Sequence, residues 1–247
     1  MEKRAKRALR VSLSINLAVA CGAAFAWNGS VLRGQSSRPP LEIPHVECPV
    51  VIDGHLDEPC YQQASRVSDF VVASKPLQHA PPTDVLIFWN AERLVFAFDV
   101  VDREVRAAPP SPRESDVDLQ DRVEVFLWSG RDRDAYACIE IGAKGAVHDY
   151  LGRFYRRFES SWSPRVWSHA VSWSPRGYRV ELALPAAELQ QLGLTLAAGT
   201  RWRLGLFRAD FSSAGGNVLP AWVTWVDAGT PEADFHVAEA FGEMVLR

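Results

Sequence analysis

Alternating apolar and polar residues fill the chain from residue 45 onwards, and Gly, Pro, Asn or Asp interrupt the alternation about every ten residues. A period of two places successive side chains on opposite faces of a strand. The runs predict strands at residues 50–52, 69–73, 84–89, 94–101, 122–128, 135–141, 146–149, 166–173, 177–184, 201–211, 222–225 and 242–246. The fold class is therefore predicted to be all-β, an antiparallel and jelly-roll-like β-sandwich.

Short helices and tight turns are predicted between these strands. One helix covers residues 59–65, and a second covers residues 185–192, where Pro185 takes the first helical position. Residues 90–93 and 174–177 lie between alternating runs and predict hairpin turns. The helical content is small, as expected for a sandwich.

The first 26 residues have the composition of an export signal. Residues 1–10 contain five Lys and Arg, residues 11–26 carry no charge, and a small-residue cleavage site ends at Ala26. Cys21 lies in a lipoprotein-like processing box, so a lipid anchor at Cys21 is one alternative to simple cleavage, and an uncleaved membrane anchor is another. The sequence predicts an exported protein, placed in the periplasm, at the cell surface or outside the cell.

Residues 27–44 show no periodicity and are rich in Gly, Ser, Arg and Pro. Such a segment buries too little apolar surface to order itself, so it is predicted to be a flexible tether. The folded domain is predicted to cover residues 45–247.

The net charge limits the classes of binding partner. Removing residues 1–26, which contain five bases and one acid, lowers the formal charge from −3 to −7. A mildly acidic protein is a poor candidate for binding nucleic acid or anionic membranes.

Cys48 and Cys60 flank a short segment and can pair in an oxidising compartment, which leaves Cys138 as a thiol; three unpaired thiols are the alternative.

The strand at residues 122–128 carries the first candidate binding group. Glu124 shares a face with aromatic rings, and a carboxylate there requires a partner, either within the protein or in a ligand. Glu140 and Arg208 lie on neighbouring predicted strands. If all three face one cavity, they form a cluster suited to gripping vicinal hydroxyls, because the Arg fork donates two parallel bonds. A buried salt bridge without a ligand is the alternative.

Aromatic residues supply the second candidate surface, because a sugar stacks its apolar C–H face on a ring. Trp222 and Phe235 lie at a strand edge and in a loop, and both are predicted to contact ligand. His236 follows Phe235 and is a further ligand-binding candidate, or a hydrogen-bonded loop anchor. The Trp residues inside predicted strands are expected in the core: Trp89, Trp128, Trp173 and Trp202.

Six motifs in order resemble the family 9 carbohydrate-binding modules. They are Val51-Ile52-Asp53-Gly54-His55-Leu56-Asp57-Glu58, the hairpin at residues 85–98 with Asp102, Gln120-Asp121-Arg122-Val123-Glu124-Val125-Phe126, Val180-Glu181-Leu182-Ala183-Leu184-Pro185, Leu206-Phe207-Arg208, and Trp225 with Asp234-Phe235-His236 and Phe241-Gly242. The resemblance implies a non-catalytic β-sandwich that binds the ends of oligosaccharides or polysaccharides, with a role in carbohydrate breakdown.

The resemblance also assigns residues. Glu124 falls on a sugar-binding Glu of the family, and Phe235 falls near its second stacking ring. Asp118 occupies the place of the first stacking Trp, which is a departure from the pattern. The family's structural calcium suggests that Asp116, Asp118 and Asp121 are metal ligands, because hard cations prefer oxygen-rich loops.

Other functional classes remain open. Glu124 and Glu140 also suit the paired carboxylates of a glycoside hydrolase, although the sequence has no Gly-x-Ser-x-Gly or His-Glu-x-x-His motif. A haem-binding sandwich needs an axial ligand such as Met, and Met244 lies in the last predicted strand. Protein–protein scaffolding through a sheet edge is a third class.

Overall fold

The computed structural model describes residues 38–111, 113–131, 135–164, 167–214 and 217–247. The predicted export signal, the lipid anchor at Cys21 and most of the tether lie outside these residues. No helix in the described ranges is long and apolar enough to cross a membrane.

Two mostly antiparallel sheets form a sandwich. The larger sheet has the strand order β1-β14-β12-β6-β7-β8-β9, with β13 paired to β12 and β3 paired to β13. Its strands are β1 (Leu41–Ile43), β3 (Val71–Val72), β6 (Arg122–Trp128), β7 (Tyr136–Gly142), β8 (Val147–Arg153), β9 (Arg157–Glu159), β12 (Arg201–Ala214), β13 (Asn217–Thr224) and β14 (Gly242–Leu246). Only the β1–β14 pair is parallel among the described pairs of this sheet.

The smaller sheet has the order β10-β11-β5-β4-β2. Its strands are β2 (Ser65–Val67), β4 (Thr83–Trp89), β5 (Arg93–Val101), β10 (Ser168–Ser174) and β11 (Gly177–Pro185). One α-helix, α1 (Ala186–Gln191), follows β11, and short 3₁₀ helices cover Pro59–Gln62, Glu114–Leu119 and Ala238–Ala240. The all-β sandwich predicted from the sequence is confirmed.

The main core lies between the two sheets. Val123, Val125 and Leu127 point into it from β6, and Phe96 and Phe98 face them from β5. Alternation then sends the other β6 residues to the outer face of the larger sheet. That outer face is where the candidate site lies.

A second, aromatic cluster covers this outer face. It includes Phe126, Tyr136 and Phe207 on the strands, with Phe235 and Phe241 from the chain between β13 and β14. Gly205 makes the packing possible, because a Cβ there would lie 2.4 Å from the Phe207 ring. The covering chain builds a wall over a sheet face that would otherwise meet solvent.

A third cluster lies outside the smaller sheet, beneath residues 46–64. Cys48 and Cys60 form a disulfide there, and Cys138 is a buried free thiol. Glu181 accepts hydrogen bonds from the Tyr61 hydroxyl and from the backbone N–H groups of Asp53 and Gly54. Glu181 therefore anchors this segment to the sheet.

Several predicted boundaries are corrected. Leu41–Ile43, placed in the tether, pairs with β14, so the folded unit begins before residue 45. Residues 50–52 are not a strand, and the predicted helix at 59–65 is only a 3₁₀ turn. Trp173, predicted for the core, is 52 % exposed, because β10 is an edge strand. Both predicted hairpin turns connect paired strands, β4–β5 and β10–β11.

Candidate functional site

A cavity of about 390 Å³ opens on the outer face of the larger sheet. Strands β6, β7 and β8 form its floor, and residues from β9, β13 and the chain before β14 form its walls. Such a volume lies in the usual range for a small-molecule site. The cavity is therefore the candidate binding site.

Strand register aligns the floor. Glu124 lies directly opposite Glu140, and Glu140 lies opposite His148 on β8. Arg122 is two residues before Glu124, so both point to the same face, and Gly142 opposite Arg122 adds no side chain. The guanidinium can therefore lean towards the two glutamates.

One nitrogen joins both carboxylates. Arg122 Nε lies 2.9 Å from Glu124 Oε1 and 2.7 Å from Glu140 Oε2. Arg122 Nη1 donates to the Asp118 carbonyl at 2.9 Å, and the Tyr150 hydroxyl donates to Glu140 Oε1 at 2.7 Å. These contacts fix the floor, since every partner is itself held by a strand or by the turn before β6.

Burial controls the protonation of the titratable side chains on the cavity floor. The pKa of Glu124 is raised from 4.5 to about 8, first because burial penalises the carboxylate and second because Glu140 repels it, while Arg122 acts in the opposite direction. The pKa of the Tyr150 hydroxyl also rises, because of burial and the Glu140 charge. Tyr150 therefore stays a hydrogen-bond donor to Glu140.

Asp118 and His148 form an ion pair at the rim. His148 Nδ1 lies 2.8 Å from Asp118 Oδ1, and the Asp118 side chain is 46 % exposed. Burial lowers the pKa of His148, but the hydrogen bond to Asp118 and the Glu140 charge outweigh burial and raise it. Asp118, which replaces a stacking Trp in the resemblance, thus adds a carboxylate to the cavity.

The predicted aromatic contacts reach the cavity in different ways. Trp222 lines it and carries the Arg122 guanidinium over its ring at 5.6 Å. Phe235 also lines it, but Phe235 is only 7 % exposed and stacks on Phe207 at 4.2 Å. Little of the Phe235 ring is therefore left for a ligand, and its stacking role stays a prediction.

His236 lies against the same wall. Its ring stacks on Phe126 at 5.2 Å, and its Nδ1 is 3.1 Å from the Tyr136 hydroxyl. Burial and the positive charges of Arg156 and Arg122 lower the pKa of His236 to about 4, so the ring is neutral at neutral pH. This geometry agrees with a hydrogen-bonded loop anchor, and ligand contact by His236 stays a prediction.

Phe158 supplies a ring that the sequence analysis missed. It lines the cavity from β9, is 45 % exposed, and packs edge-on against Tyr150 and His236 at 5.3 and 4.8 Å. A three-residue strand with charged neighbours gives no clear pattern, so no sequence signal marked it. Arg122, His148 and Tyr150 were also missed, although Arg122 shares the i, i+2 face of Glu124.

The prediction that Arg208 faces the cavity with Glu124 and Glu140 is wrong. Phe207, not Arg208, lies opposite Glu124, so Arg208 points into the sandwich. Its Nη2 lies 3.2 Å from Asp102 and 2.8 Å from Asp210, and its side chain is fully buried. Arg208 is thus a core ion-pair residue whose partners, Asp102 and Asp210, differ from the glutamates with which the sequence analysis grouped it.

The predicted metal ligands do not converge. Asp116 binds Ser111 and Arg113, whereas Asp121 is buried and accepts backbone N–H groups from Arg106 and Phe211. Among the described residues, two groups of side chains could hold a metal ion, and Asp118 and Asp121 belong to different groups. They are Asp118 with Glu140 and His148, and Asp121 with Asp102 and Asp210.

Met244, the Met considered for haem, lies in the main core and is fully buried. It therefore cannot reach the cavity as an axial ligand in this fold.

Comparison with solved structures gives neighbours of the same fold at low sequence identity. A protein from Bacteroides uniformis proposed to bind carbohydrate superposes with a TM-score of 0.66 at 17% identity, covering 84% of this chain and 99% of the other. A family 9 module from Caldicellulosiruptor kristjanssonii in complex with cellotriose gives 0.58 at 17%, covering 85% and 94%. Its complex with glucose gives 0.58 at 18%, covering 83% and 95%.

Comparison with curated protein sequences gave no match. The family model described as carbohydrate family 9 binding domain-like matches residues 52–247, which is most of the chain. The resemblance stated from the sequence is thereby confirmed. This chain belongs to the carbohydrate family 9 binding domain-like family.

Proposed function

We propose that the protein is a non-catalytic carbohydrate-binding module that holds the end of a sugar chain in the cavity on the larger sheet. The observation that carries the proposal is the combination of ring walls with a polar floor: Trp222 and Phe158 line the sides, and Arg122, Glu124 and Glu140 lie at the base. A sugar needs both, because its faces are apolar and its rim carries hydroxyls.

The structural neighbours support this proposal. The Caldicellulosiruptor kristjanssonii module was solved with cellotriose and with glucose. We infer that the rings contacting the saccharide in this cavity differ from those of the family pattern, because Asp118 stands where the family resemblance places a stacking Trp. Phe158, from β9, offers an exposed ring instead, and it would stack the face that Trp222 leaves uncovered.

Export forms part of the proposal. The Cys48–Cys60 disulfide supports an oxidising compartment, because cytosolic proteins rarely retain disulfides. The basic and apolar order of residues 1–26 supports secretion or lipid anchoring at Cys21. An exported binding module would meet polysaccharide directly.

A structural calcium ion, implied by the family resemblance, is proposed for Asp102, Asp121 and Asp210 rather than for the predicted set. All three are buried, and each offers an oxygen within 4.8 Å of the others. Arg208 neutralises one of three negative charges, and the buried Tyr178 hydroxyl nearby lacks a hydrogen-bond partner among the described residues. Oxygen ligands and excess negative charge suit calcium.

A thermal-shift experiment on the full-length protein tests the sugar-binding proposal. A panel of monosaccharides and short oligosaccharides, glucose and cellotriose included, should contain at least one that raises the Tm with its concentration. Trp222→Ala should abolish the rise, and Trp173→Ala, an exposed ring outside the cavity, should retain it. A panel without effect, or release of reducing ends on long incubation, would overturn the proposal.

A further inference from the structure

An exposed aromatic ring lies beside the cavity. Tyr155 is at the tip of the hairpin that joins β8 to β9, and it is 61 % exposed. The next residue, Arg156, lines the cavity, and so does Phe158 further along the same hairpin. A single exposed ring is ordinary on a protein surface, but one that borders a candidate binding site extends the surface that a ligand can contact.

Hydrogen bonds hold the Tyr155 ring in place. Its hydroxyl donates to Asp234 Oδ2 at 2.7 Å and accepts from Arg156 Nε at 3.1 Å. Arg156 Nη2 in turn donates to Asp234 Oδ1 at 3.0 Å. The residues on either side of Asp234, which are Ala233 and Phe235, line the cavity. The Tyr155 hydroxyl therefore lies between two segments that form the cavity walls.

The backbone of the hairpin is fixed by Phe154, the residue before Tyr155. Phe154 stacks on Tyr136 at 4.7 Å and meets Trp128 edge-on at 4.9 Å, within the aromatic cluster on the outer face of the larger sheet. Gly152 allows this approach, because a Cβ there would lie 2.3 Å from the Tyr136 ring. Tyr155 is thus held at its hydroxyl and at its backbone while its ring stays exposed. A ring held in this way loses little conformational entropy when a ligand stacks on it.

One other exposed apolar side chain in the described ranges is next in sequence to a residue that lines the cavity. It is Leu119, which is 78 % exposed and follows Asp118. An aliphatic side chain offers no flat ring to the C–H face of a sugar, and Leu119 has no polar group that could fix its position. Tyr155 is therefore the better platform for a saccharide that extends out of the cavity.

We propose that Tyr155 forms a second sugar subsite, which stacks the unit next to the one held in the cavity, so that the protein binds an oligosaccharide more tightly than the matching monosaccharide. This inference rests on the proposed function, in which the end of a sugar chain occupies the cavity and the rest of the chain leaves it. The apolar face of the second unit covers the Tyr155 ring, and its hydroxyls stay in solvent. The ligand class is thus an oligosaccharide of at least two units.

Isothermal titration calorimetry on the full-length protein tests the inference. Glucose, cellobiose and cellotriose are compared first, and then the mono-, di- and trisaccharide of the sugar that gives the largest thermal shift. The disaccharide is expected to bind about two- to tenfold more tightly than the monosaccharide, which is the gain from one stacking ring. Tyr155→Ala should abolish this gain and leave the affinity for the monosaccharide unchanged.

Two further variants separate stacking from other effects. Tyr155→Phe keeps the ring without the hydroxyl and should retain most of the gain. Leu119→Ala truncates the other exposed apolar side chain beside the cavity and should retain all of it. A loss in Tyr155→Phe as large as in Tyr155→Ala would assign the effect to the hydroxyl and overturn stacking, and a loss confined to Leu119→Ala would place the second unit elsewhere and overturn the subsite.

The comparison of mono- and disaccharide also separates this inference from the proposed function. A gain that survives Tyr155→Ala would overturn the subsite. So would a variant that weakens both sugars by the same factor, because Tyr155 would then act only through the cavity walls. Equal affinities of the wild type for the two sugars would overturn the subsite and leave sugar binding in place. If no saccharide of the panel binds, the proposed function fails, and this inference fails with it.

Discussion

Glu124 and Glu140 face each other across β6 and β7, and a single nitrogen, Nε of Arg122, lies within 2.9 Å of both carboxylates. All three side chains are at least nine-tenths buried. Two carboxylates so close together would repel each other without the guanidinium. Arg122 therefore holds the floor of the cavity in shape before any ligand arrives.

Replacing Arg122 should cost more stability than replacing an exposed Arg. Arg122→Met leaves two buried carboxylates without their cation, and the expected loss in free energy of unfolding is about 3 kcal/mol or more. The matched control is Arg113→Met, because the Arg113 side chain is 78 % exposed and its ion pair with Asp116 is screened by solvent, so little stability should be lost. Urea unfolding followed by tryptophan fluorescence measures both, and similar losses for the two variants would contradict the role given to Arg122.

Glu124 should make the unliganded protein less stable as the pH rises. Its pKa in the folded state, about 8, lies above the ordinary value of 4.5, so the folded protein binds this proton more tightly than the unfolded chain does. The stabilisation is complete below about pH 4.5 and is lost as the pH rises through about 8. One group of this kind changes the free energy of unfolding by at most about 1.4 kcal/mol per pH unit.

The Glu124→Gln variant isolates this effect. Its free energy of unfolding should exceed that of the wild type by an amount that grows between about pH 5 and pH 8. Titrating groups that do not interact with Glu124 contribute equally to both proteins, so the difference between the two curves reports Glu124 together with the groups that it contacts. Parallel curves across this range would show that the Glu124 pKa is ordinary.

Phe158 should affect binding but not stability. Its ring is 45 % exposed, so Phe158→Ala is expected to change the free energy of unfolding by less than about 1 kcal/mol. Loss of a stacking ring of this kind costs about 0.5–1.5 kcal/mol of binding energy, which is up to about tenfold in affinity for the best saccharide. Leu77→Ala, an exposed apolar truncation outside the cavity lining, serves as the control. Unchanged affinity in Phe158→Ala would exclude the ring from the site.

Calcium should stabilise the protein through the buried aspartates. Millimolar calcium is expected to raise the Tm of EDTA-treated protein, because an ion bound only to the folded state shifts unfolding by mass action. Asp210→Asn should remove the rise, whereas Asp116→Asn, in the originally predicted set, should retain it. A rise that is lost in Asp116→Asn and kept in Asp210→Asn would restore the original assignment.

Sequence patterns located single strands better than relations between strands. Alternation placed Glu124 on the aromatic face of β6 and Glu140 on the matching face of β7, and both predictions agree with the register. Alternation could not relate β12 to β6, because the register of distant strands depends on how the intervening chain folds. Phe207 rather than Arg208 therefore lies opposite Glu124.

The walls of the cavity were harder to predict than its floor. Trp222 and Phe235 were predicted from their positions at a strand edge and in a loop, and His236 because it follows Phe235; all three line the cavity. The same reasoning could not show that Phe207 covers one face of Phe235. Phe158 was missed because β9 is short and its neighbours are Arg and Glu.

The central claim is that saccharide occupies the cavity between Trp222, Phe158 and the acidic floor. A crystal structure of the full-length protein, saturated with the saccharide that gives the largest thermal shift, tests it most directly. A sugar ring is predicted against Phe158 or Trp222, with a hydroxyl of the sugar within hydrogen-bond distance of the Glu124 or Glu140 carboxyl. Saccharide bound elsewhere on the protein, with this cavity empty, would contradict it.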